Sequence, residues 1–365
     1  IIHYYDLHGR PMQYYKKDRK GNATGRKLDF YRVRYQNPDL HLDRNQDPVK
    51  YRSPYGSDTK IYINKWVREK YKKSSKIKTL YVQEGEKKAD KATKHGLISV
   101  GIMGIHNIAY NKRLPMEFEM IIKRCQVENV VFVLDSDWDN LSSKIDSNHA
   151  ADQRPKSFYR AVVNFRDHFY AFTHSDIHLQ IYFAYVKSNI EQDKGIDDLL
   201  VNTLRDKESE LKPLCEKALI EPEGNAKYLQ FHKITTMGEH KLKNFWGLQN
   251  KDAFIEKYHD QLRNLPKFRI GKIEWRFNEK GEVELAQPLL PDETFWSENK
   301  KRDQDGNVID NRVTFNYKRC YTFLQNRGFY RLPQPGNSFI WIHIKENLVK
   351  QVEPFQIKDF VVDFT

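Results

Sequence analysis

Two short apolar runs set the pattern of this chain, and both stop abruptly on carboxylates. Leu80-Tyr81-Val82-Gln83 ends at Glu84, and Val130-Val131-Phe132-Val133-Leu134 ends at Asp135 and Asp137. A short apolar run of this kind is the pattern of a strand buried on both faces, as in a parallel sheet. Between the two, Glu86 to His95 reads as a helix ended by Gly96. Leu97 to Gly104 reads as a second strand, and Pro115 to Cys125 as a second helix opened by proline. Strand, helix, strand, helix, strand predicts right-handed crossovers and a parallel sheet flanked by helices. In open sheets of this kind ligands sit beyond the carboxyl ends of the strands, so Glu84, Asp135 and Asp137 are expected to meet there.

The pattern continues downstream. Asn140 to Arg154 is polar and reads as a loop, and Pro155 to Thr173 as a helix with Phe158, Val162, Phe165 and Phe169 spaced for burial. Ile177 to Val186 reads as a fourth strand, and Gly195-Ile196-Asp197-Asp198 opens a helix running to about Arg205. Asp197 and Asp198 suit either a helix cap, where an acid satisfies free N–H groups and opposes the dipole, or a place beside the site. From Lys207 the signal thins. Glu208–Leu219 and Lys251–Leu265 read as amphipathic helices, Ile273–Phe277 with Val283–Leu285 as a hairpin, and Ser297–Asn311 as a charged loop. Phe329 to Val361 reads as short strands followed by a helix start.

Upstream, His3-Tyr4-Tyr5 and Met12-Gln13-Tyr14-Tyr15 flank a turn at His8-Gly9-Arg10. Asp29 to Tyr35 is a cleaner strand that puts Arg32 and Arg34 on one face. Lys50-Tyr51-Arg52 continues the mixture of cations and aromatics. Such interleaving can stack bases while neutralising phosphates; the same tyrosines are equally suited to packing the hairpins' own small core.

Charge sharpens this picture. The net charge is +13, and residues 1–80 hold 20 Lys and Arg against eight Asp and Glu, so twelve of the thirteen charges lie there. A basic block joined to an acidic site is what binding a phosphate backbone before phosphoryl chemistry requires; the plainer reading is a solubilising face. Mean hydropathy is −0.80, and no apolar run approaches the ~20 residues of a membrane span. Cys125, Cys215 and Cys320 are far apart, without metal-ligand spacing, and fit a reducing cytoplasm. Beginning at Ile1 without signal peptide or initiator methionine, the chain is expected to be a fragment or processed product.

A glutamate-glycine after one strand and an Asp-x-Asp after a later one resemble the Toprim signature shared by bacterial primases, topoisomerases and some nucleases. Here the residues are Glu84-Gly85-Glu86-Lys87-Lys88-Ala89, Leu134-Asp135-Ser136-Asp137 and Lys194-Gly195-Ile196-Asp197-Asp198-Leu199-Leu200. Together they are similar to the Toprim-like modules of phage and mobile-element primase-helicases, from roughly Lys78 to Arg205. The resemblance implies an α/β fold: a Toprim-like parallel sheet flanked by helices, a basic β-rich N-terminal subdomain and an α+β C-terminal region. The corresponding domains are 1–78 for nucleic-acid contact, 79–205 for catalysis, 206–310 as a mixed helical and hairpin region, and 311–365 as a segment resembling the primase-helicase junction.

It further implies a DNA primase that makes short RNA primers on a single-stranded DNA template from nucleoside triphosphates, beside a helicase domain or protein. Glu84, Asp135 and Asp137 are then the catalytic acids, with Glu84 in acid–base work. These three with Asp197 and Asp198 would bind Mg²⁺ or Mn²⁺, the ions that oxygen-only ligands select. Three converging carboxylates raise one another's pKa unless a cation neutralises them, and metal-held triphosphates suit phosphoryl transfer. Lys87, Lys88, Arg32, Arg34, Lys50 and Arg52 are the candidate nucleotide and nucleic-acid contacts; for Lys87 and Lys88 the alternative is a solvated helix face. One departure stands out: many bacterial primases carry an aspartate four residues after the glutamate, where this chain has Lys88. A Toprim nuclease uses the same acids, and a non-catalytic DNA-binding or assembly module for a helicase would need none of them. No Gly-x-x-x-x-Gly-Lys-Ser/Thr phosphate loop lies within these residues.

Overall fold

Side chains of successive strand residues alternate between the two faces of a sheet, and in this chain both faces of the central strands are apolar. The computed structural model describes all residues except 19, 44–46, 110–112, 146–148, 175–177, 188–191, 222–226, 272, 279, 287–294, 303–307, 335–337, 346–347 and 365. It divides into two units, residues 1–145 with 151–262, and residues 146–150 with 263–365.

The first unit opens with short strands β1 (Ile2–His3), β2 (Gln13–Lys17), β3 (Ala23–Asp29), β4 (Tyr31–Arg34) and β5 (Tyr51–Arg52). β2 and β3 form one antiparallel ribbon, and β4 lies between β1 and β5. The expected turn at 6–11 is closed by Asp6, whose Oδ1 accepts from the N–H groups of His8 and Arg10 at 2.9 Å each. Strand β6 (Tyr62–Ile63) and helix α1 (Lys65–Lys72) follow. Then come β7 (Thr79–Glu84), α2 (Glu86–Lys94), β8 (Ser99–Ile102), α3 (Met116–Arg124) and β9 (Asn129–Leu134). The remainder is α4 (Gln153–Tyr170), β10 (Gln180–Val186), α5 (Ile196–Val201), α6 (Leu211–Ile220), β11 (Leu229–Lys233), α7 (Glu239–Asn244), α8 (Lys251–Lys257) and α9 (His259–Arg263).

Six strands make one sheet in the order β11-β10-β9-β7-β8-β6. The inner four are parallel as the sequence predicts, and antiparallel β6 and β11 close the edges. Leu80, Val82, Val130, Phe132, Leu134, Ile181 and Phe183 face a core with Val67 of α1, Phe118, Ile121 and Ile122 of α3, and Phe158, Phe165 and Phe169 of α4. Tyr81, Val131, Val133, Tyr182 and Ala184 face the other way, onto Ala92 of α2, Leu199 and Leu200 of α5, and Cys215 of α6. Tyr4, Met12 and Phe30 of the basic N-terminal region belong to the first of these cores, so Tyr4 and Phe30 are packing residues.

The second unit contains β12 (Phe268–Ile270), β13 (Ile273–Phe277) and β14 (Val283–Leu285) in one antiparallel sheet, and β15 (Trp296–Arg302) paired with β16 (Val308–Phe315). It ends in α10 (Tyr317–Asn326), the antiparallel sheet of β17 (Phe329–Gln334), β18 (Ser338–Lys345) and β19 (Leu348–Val352), and α11 (Pro354–Phe364). Phe295, Phe323, Phe329, Val352 and Ile357 form its core.

Several sequence-based expectations need correcting. The charged stretch Ser297–Asn311 is not a loop: its described residues fall in β15 and β16, and 303–307 lie outside the described residues. Lys251–Leu265 is two short helices, broken at Tyr258. The fourth strand begins at Gln180, and Ile177 lies outside the described residues. The helix opened by Gly195 stops at Val201, not Arg205. There Asn202 and Thr203 both donate to buried Asp193, and these side-chain bonds draw the chain out of the helix.

Candidate active site

The connection from β7 leads to β8 on one side, and that from β9 leads to β10 on the other, so the adjacent ends of β7 and β9 are the point where the winding reverses. A crevice opens beyond the strand ends at such a point. Glu84 is the last residue of β7, and Asp135 directly follows β9. Gly85 turns the chain into α2 with φ of +107°, a conformation that side-chain-bearing residues rarely adopt. Its carbonyl oxygen lies so near Gly101 of β8 that a Cβ there would sit 2.9 Å away. Two glycines thus let the turn after Glu84 lie directly on the sheet.

Lys88, one turn into α2, reaches back to Asp135: its Nζ lies 2.5 Å from Oδ1 and 2.6 Å from Oδ2. Asp137 pairs with Arg154 at the start of α4, 2.9 Å away. The loop after β9 is tied to the loop before α5 by the Ser136 N–H, which donates to the Lys194 carbonyl at 2.7 Å. Asp197 follows on α5, and its Oδ1 is buried with no hydrogen-bond partner among the described residues. Asp198 is occupied as a cap, its Oδ2 accepting from the Gly195 N–H at 3.3 Å. Of the five expected acids, then, Glu84, Asp135 and Asp197 line one open cavity of about 370 Å³, while Asp137 pairs with Arg154 and Asp198 caps its own helix.

Basic residues line the same cavity. Arg32, Arg34, Lys50 and Tyr51 line it with Lys87 and Lys88. Tyr51 lies under both guanidiniums, 4.8 Å from Arg32 and 6.0 Å from Arg34. Arg52 lies outside it, over Tyr35 at 6.0 Å, and Tyr35 in turn stacks on His41 at 3.6 Å. Lys87 is exposed. Arg32 has a fixed partner: its Nη1 donates to Glu86 at 2.6 Å, and the Tyr4 hydroxyl donates to the same carboxylate oxygen at 2.5 Å.

Burial pushes the pKa of Glu84 up, and the charges of Asp135 and Asp137 add to this, against Lys88 and Arg154. Asp135 is raised by burial and by Asp137 and Asp197, although Lys88 opposes the shift. Burial works against the Lys88 ammonium, yet Asp135, Asp197 and Glu84 together hold its pKa above that of an ordinary lysine. Two participants were not legible in the sequence. Arg154 closes a stretch that reads as polar loop, and Glu86, which beside Lys88 suggests an imperfect substitute for the missing aspartate, is instead buried in an ion pair with Arg32.

Oxygen-only donors suit Mg²⁺ or Mn²⁺, but among the described residues no three His, Cys, Asp or Glu side chains are grouped to hold a metal ion. Lys88 occupies both oxygens of Asp135 and Arg154 pairs with Asp137. Mg²⁺ commonly takes one or two carboxylates together with substrate phosphates. The Oδ1 of Asp197, without a hydrogen-bond partner among the described residues, and the cations lining the cavity fit that mode and not an all-protein cage.

No protein-family model and no curated protein matches the chain. Two solved structures are similar. One, described as the structure of the DnaG catalytic core, is 14% identical with a TM-score of 0.28 and covers 55% of this chain, which in turn spans 63% of that one. The other, the DnaG primase catalytic domain bound to ssDNA, is 12% identical with a TM-score of 0.29 and covers 67% of this chain and 73% of its own. With TM-scores below 0.5, neither likeness bears on what this chain does.

Proposed function

We propose that this chain is a DNA primase, a template-dependent nucleotidyltransferase that makes short RNA primers on single-stranded DNA. The observation that carries the reading is one cavity lined both by the acids Glu84, Asp135 and Asp197 and by Arg34, Lys50 and Tyr51. A site of this kind can hold a polyanion on its cations and deprotonate or position a hydroxyl at its carboxylates. The Toprim-like order of the acids along the chain agrees with it.

In this reading Arg34, Lys50 and Lys87 bind phosphates of template and incoming nucleoside triphosphate, and the Tyr51 ring offers a stacking face. Glu84 takes the proton of the attacking 3′-hydroxyl as the new P–O bond forms at the α-phosphate, and pyrophosphate leaves. A Mg²⁺ or Mn²⁺ ion brought in on the triphosphate would be held by Asp197 and the phosphates themselves and would supply neutralisation of the developing charge. The protein works in a reducing cytoplasm, consistent with three free thiols. Residues 311–365 serve as the junction to a helicase, as in phage and mobile-element primase-helicases. No helix among the described residues is long and apolar enough to cross a membrane.

The test is incubation with single-stranded DNA, labelled nucleoside triphosphates and Mg²⁺ or Mn²⁺. Template-dependent short RNA products are the expected result. Cleavage of the DNA would replace this reading with a nuclease using the same acids, and binding without chemistry would leave a helicase-assembly module.

A further inference from the structure

Lys88 sits where a cluster of carboxylates would otherwise draw in a cation. Its ammonium faces both oxygens of Asp135, at 2.5 and 2.6 Å, which is the edge a chelated ion would take. The Lys88 side chain is 18% exposed and that of Asp135 27%, so the pair is shielded from much of the solvent screening that weakens surface ion pairs. Its place is also built. Gly195 has an ordinary extended backbone, with φ of −114°, so no turn geometry requires glycine there. A Cβ at Gly195 would lie 2.7 Å from Lys88 Cε and 2.7 Å from Asp197 Oδ1, so a side chain there would displace the ends of these two groups. The missing side chain makes the slot through which Lys88 reaches between Asp135 and Asp197. The root of Lys88 is fixed as well, because its helix buries Ala89 and Ala92 completely and is tied at its first residue to Arg32.

We propose that Lys88 is a resident cation of this site, standing at Asp135 in place of a metal ion and limiting the protein to a single divalent ion that arrives on the substrate's phosphates. This rests on the reading of the site as one for nucleotidyl transfer. An ammonium carries half the charge of Mg²⁺ but is always present. The free protein therefore has little affinity for divalent ions, and ion and nucleotide bind together.

The experiment is calorimetric titration of Mn²⁺ into the whole chain without nucleotide, comparing wild type with Lys88→Met and Gly195→Ala, each checked by circular dichroism. Lys88→Met removes the charge at similar size. Gly195→Ala keeps the lysine but crowds it out of its slot, and provides a second route should the first variant fail to fold. The expected result is an additional Mn²⁺ site, or one at least about tenfold tighter, in the variants, the scale for removing one like charge a few Å from an incoming ion. Unchanged Mn²⁺ stoichiometry and affinity in the folded variants overturns the inference. So does a wild type that already binds two Mn²⁺ ions. Primer synthesis by the wild type without any Mn²⁺ gain in the variants removes the role of Lys88 alone. A Mn²⁺ gain in variants of a protein that makes no primers keeps Lys88 as the resident cation and removes the primase reading.

Discussion

Arg32 and Glu86, 54 residues apart in the chain, form a shielded ion pair at 2.6 Å, with side chains 11% and 3% exposed. Tyr4 donates to the same Glu86 oxygen, and Tyr62 makes a second tie to α2 through Asp90 at 3.0 Å. The second acid of the Glu-Gly-Glu stretch is thus a strut. It fixes the start of α2 against the basic strands, and with it the position of Lys88.

Removing one partner of this pair strands the other charge in a buried place. Arg32→Ala is expected to destabilise the protein by about 3 kcal/mol, while Arg32→Met with Glu86→Leu together costs less than either change alone. Urea unfolding measures both. A loss below about 1 kcal/mol for Arg32→Ala would show that the pair is not a strut.

Glu84→Gln preserves size and removes both charge and basicity. Primer synthesis should fall by ~10²–10⁴-fold while single-stranded DNA binding persists, because no phosphate contact is lost. Rates compared at equal bound template decide the matter; near wild-type extension would leave Glu84 without a chemical role.

Asp197 and Asp198 are neighbours with opposite expected phenotypes. Asp198→Ala removes a cap and should cost roughly 1 kcal/mol of stability with little effect on rate. Asp197→Asn keeps the size of the side chain and removes a charge beside Lys88, so its main effect should be on rate, with primer synthesis dropping roughly 10²-fold, the scale of losing one electrostatic contact to the reacting centre. Thermal melts and primer assays on both variants distinguish them, and equal behaviour contradicts the assignment.

Arg34 and Lys50 line the cavity, and each would neutralise one phosphate. Changing both to alanine should flatten the plot of log affinity for single-stranded DNA against log salt by about 1.4, at roughly 0.7 per phosphate contact. An unaltered slope would mean that these cations are a solvated face.

His232 on β11 lies against Phe183, Tyr185 and Phe245, with ring centroids 5.0, 5.8 and 4.6 Å away. Burial lowers its pKa to about 4. The folded protein holds it neutral while the unfolded chain protonates it near 6.5, so its contribution is complete above pH 6.5 and is lost as the pH falls towards 4. The loss is on the order of 2 kcal/mol after allowing for partial exposure. His232→Phe should remove this part of the acid sensitivity in unfolding curves between pH 4 and 7; an identical pH profile would refute it.

The sequence by itself determined the central parallel strands and the acids at their ends. Burial on two faces demands a continuous apolar run, and such a run followed by Glu84 or by Asp135 is visible within ten residues of chain. The same local logic placed α2, α3 and the hairpin of β13 and β14. It misread Ser297–Asn311, because a two-stranded ribbon is held by backbone hydrogen bonds and needs no apolar alternation to form. The pairings at the site were decided only by the tertiary structure. Lys88 meets Asp135 across 47 residues, Arg32 meets Glu86 across 54, and Arg154 meets Asp137 where a helix start happens to face a strand end. Local pattern shows which residues are charged and roughly where each lies along its element. Which opposite charge it finds depends on strand order and helix packing, and those are set by how the whole chain buries its two cores.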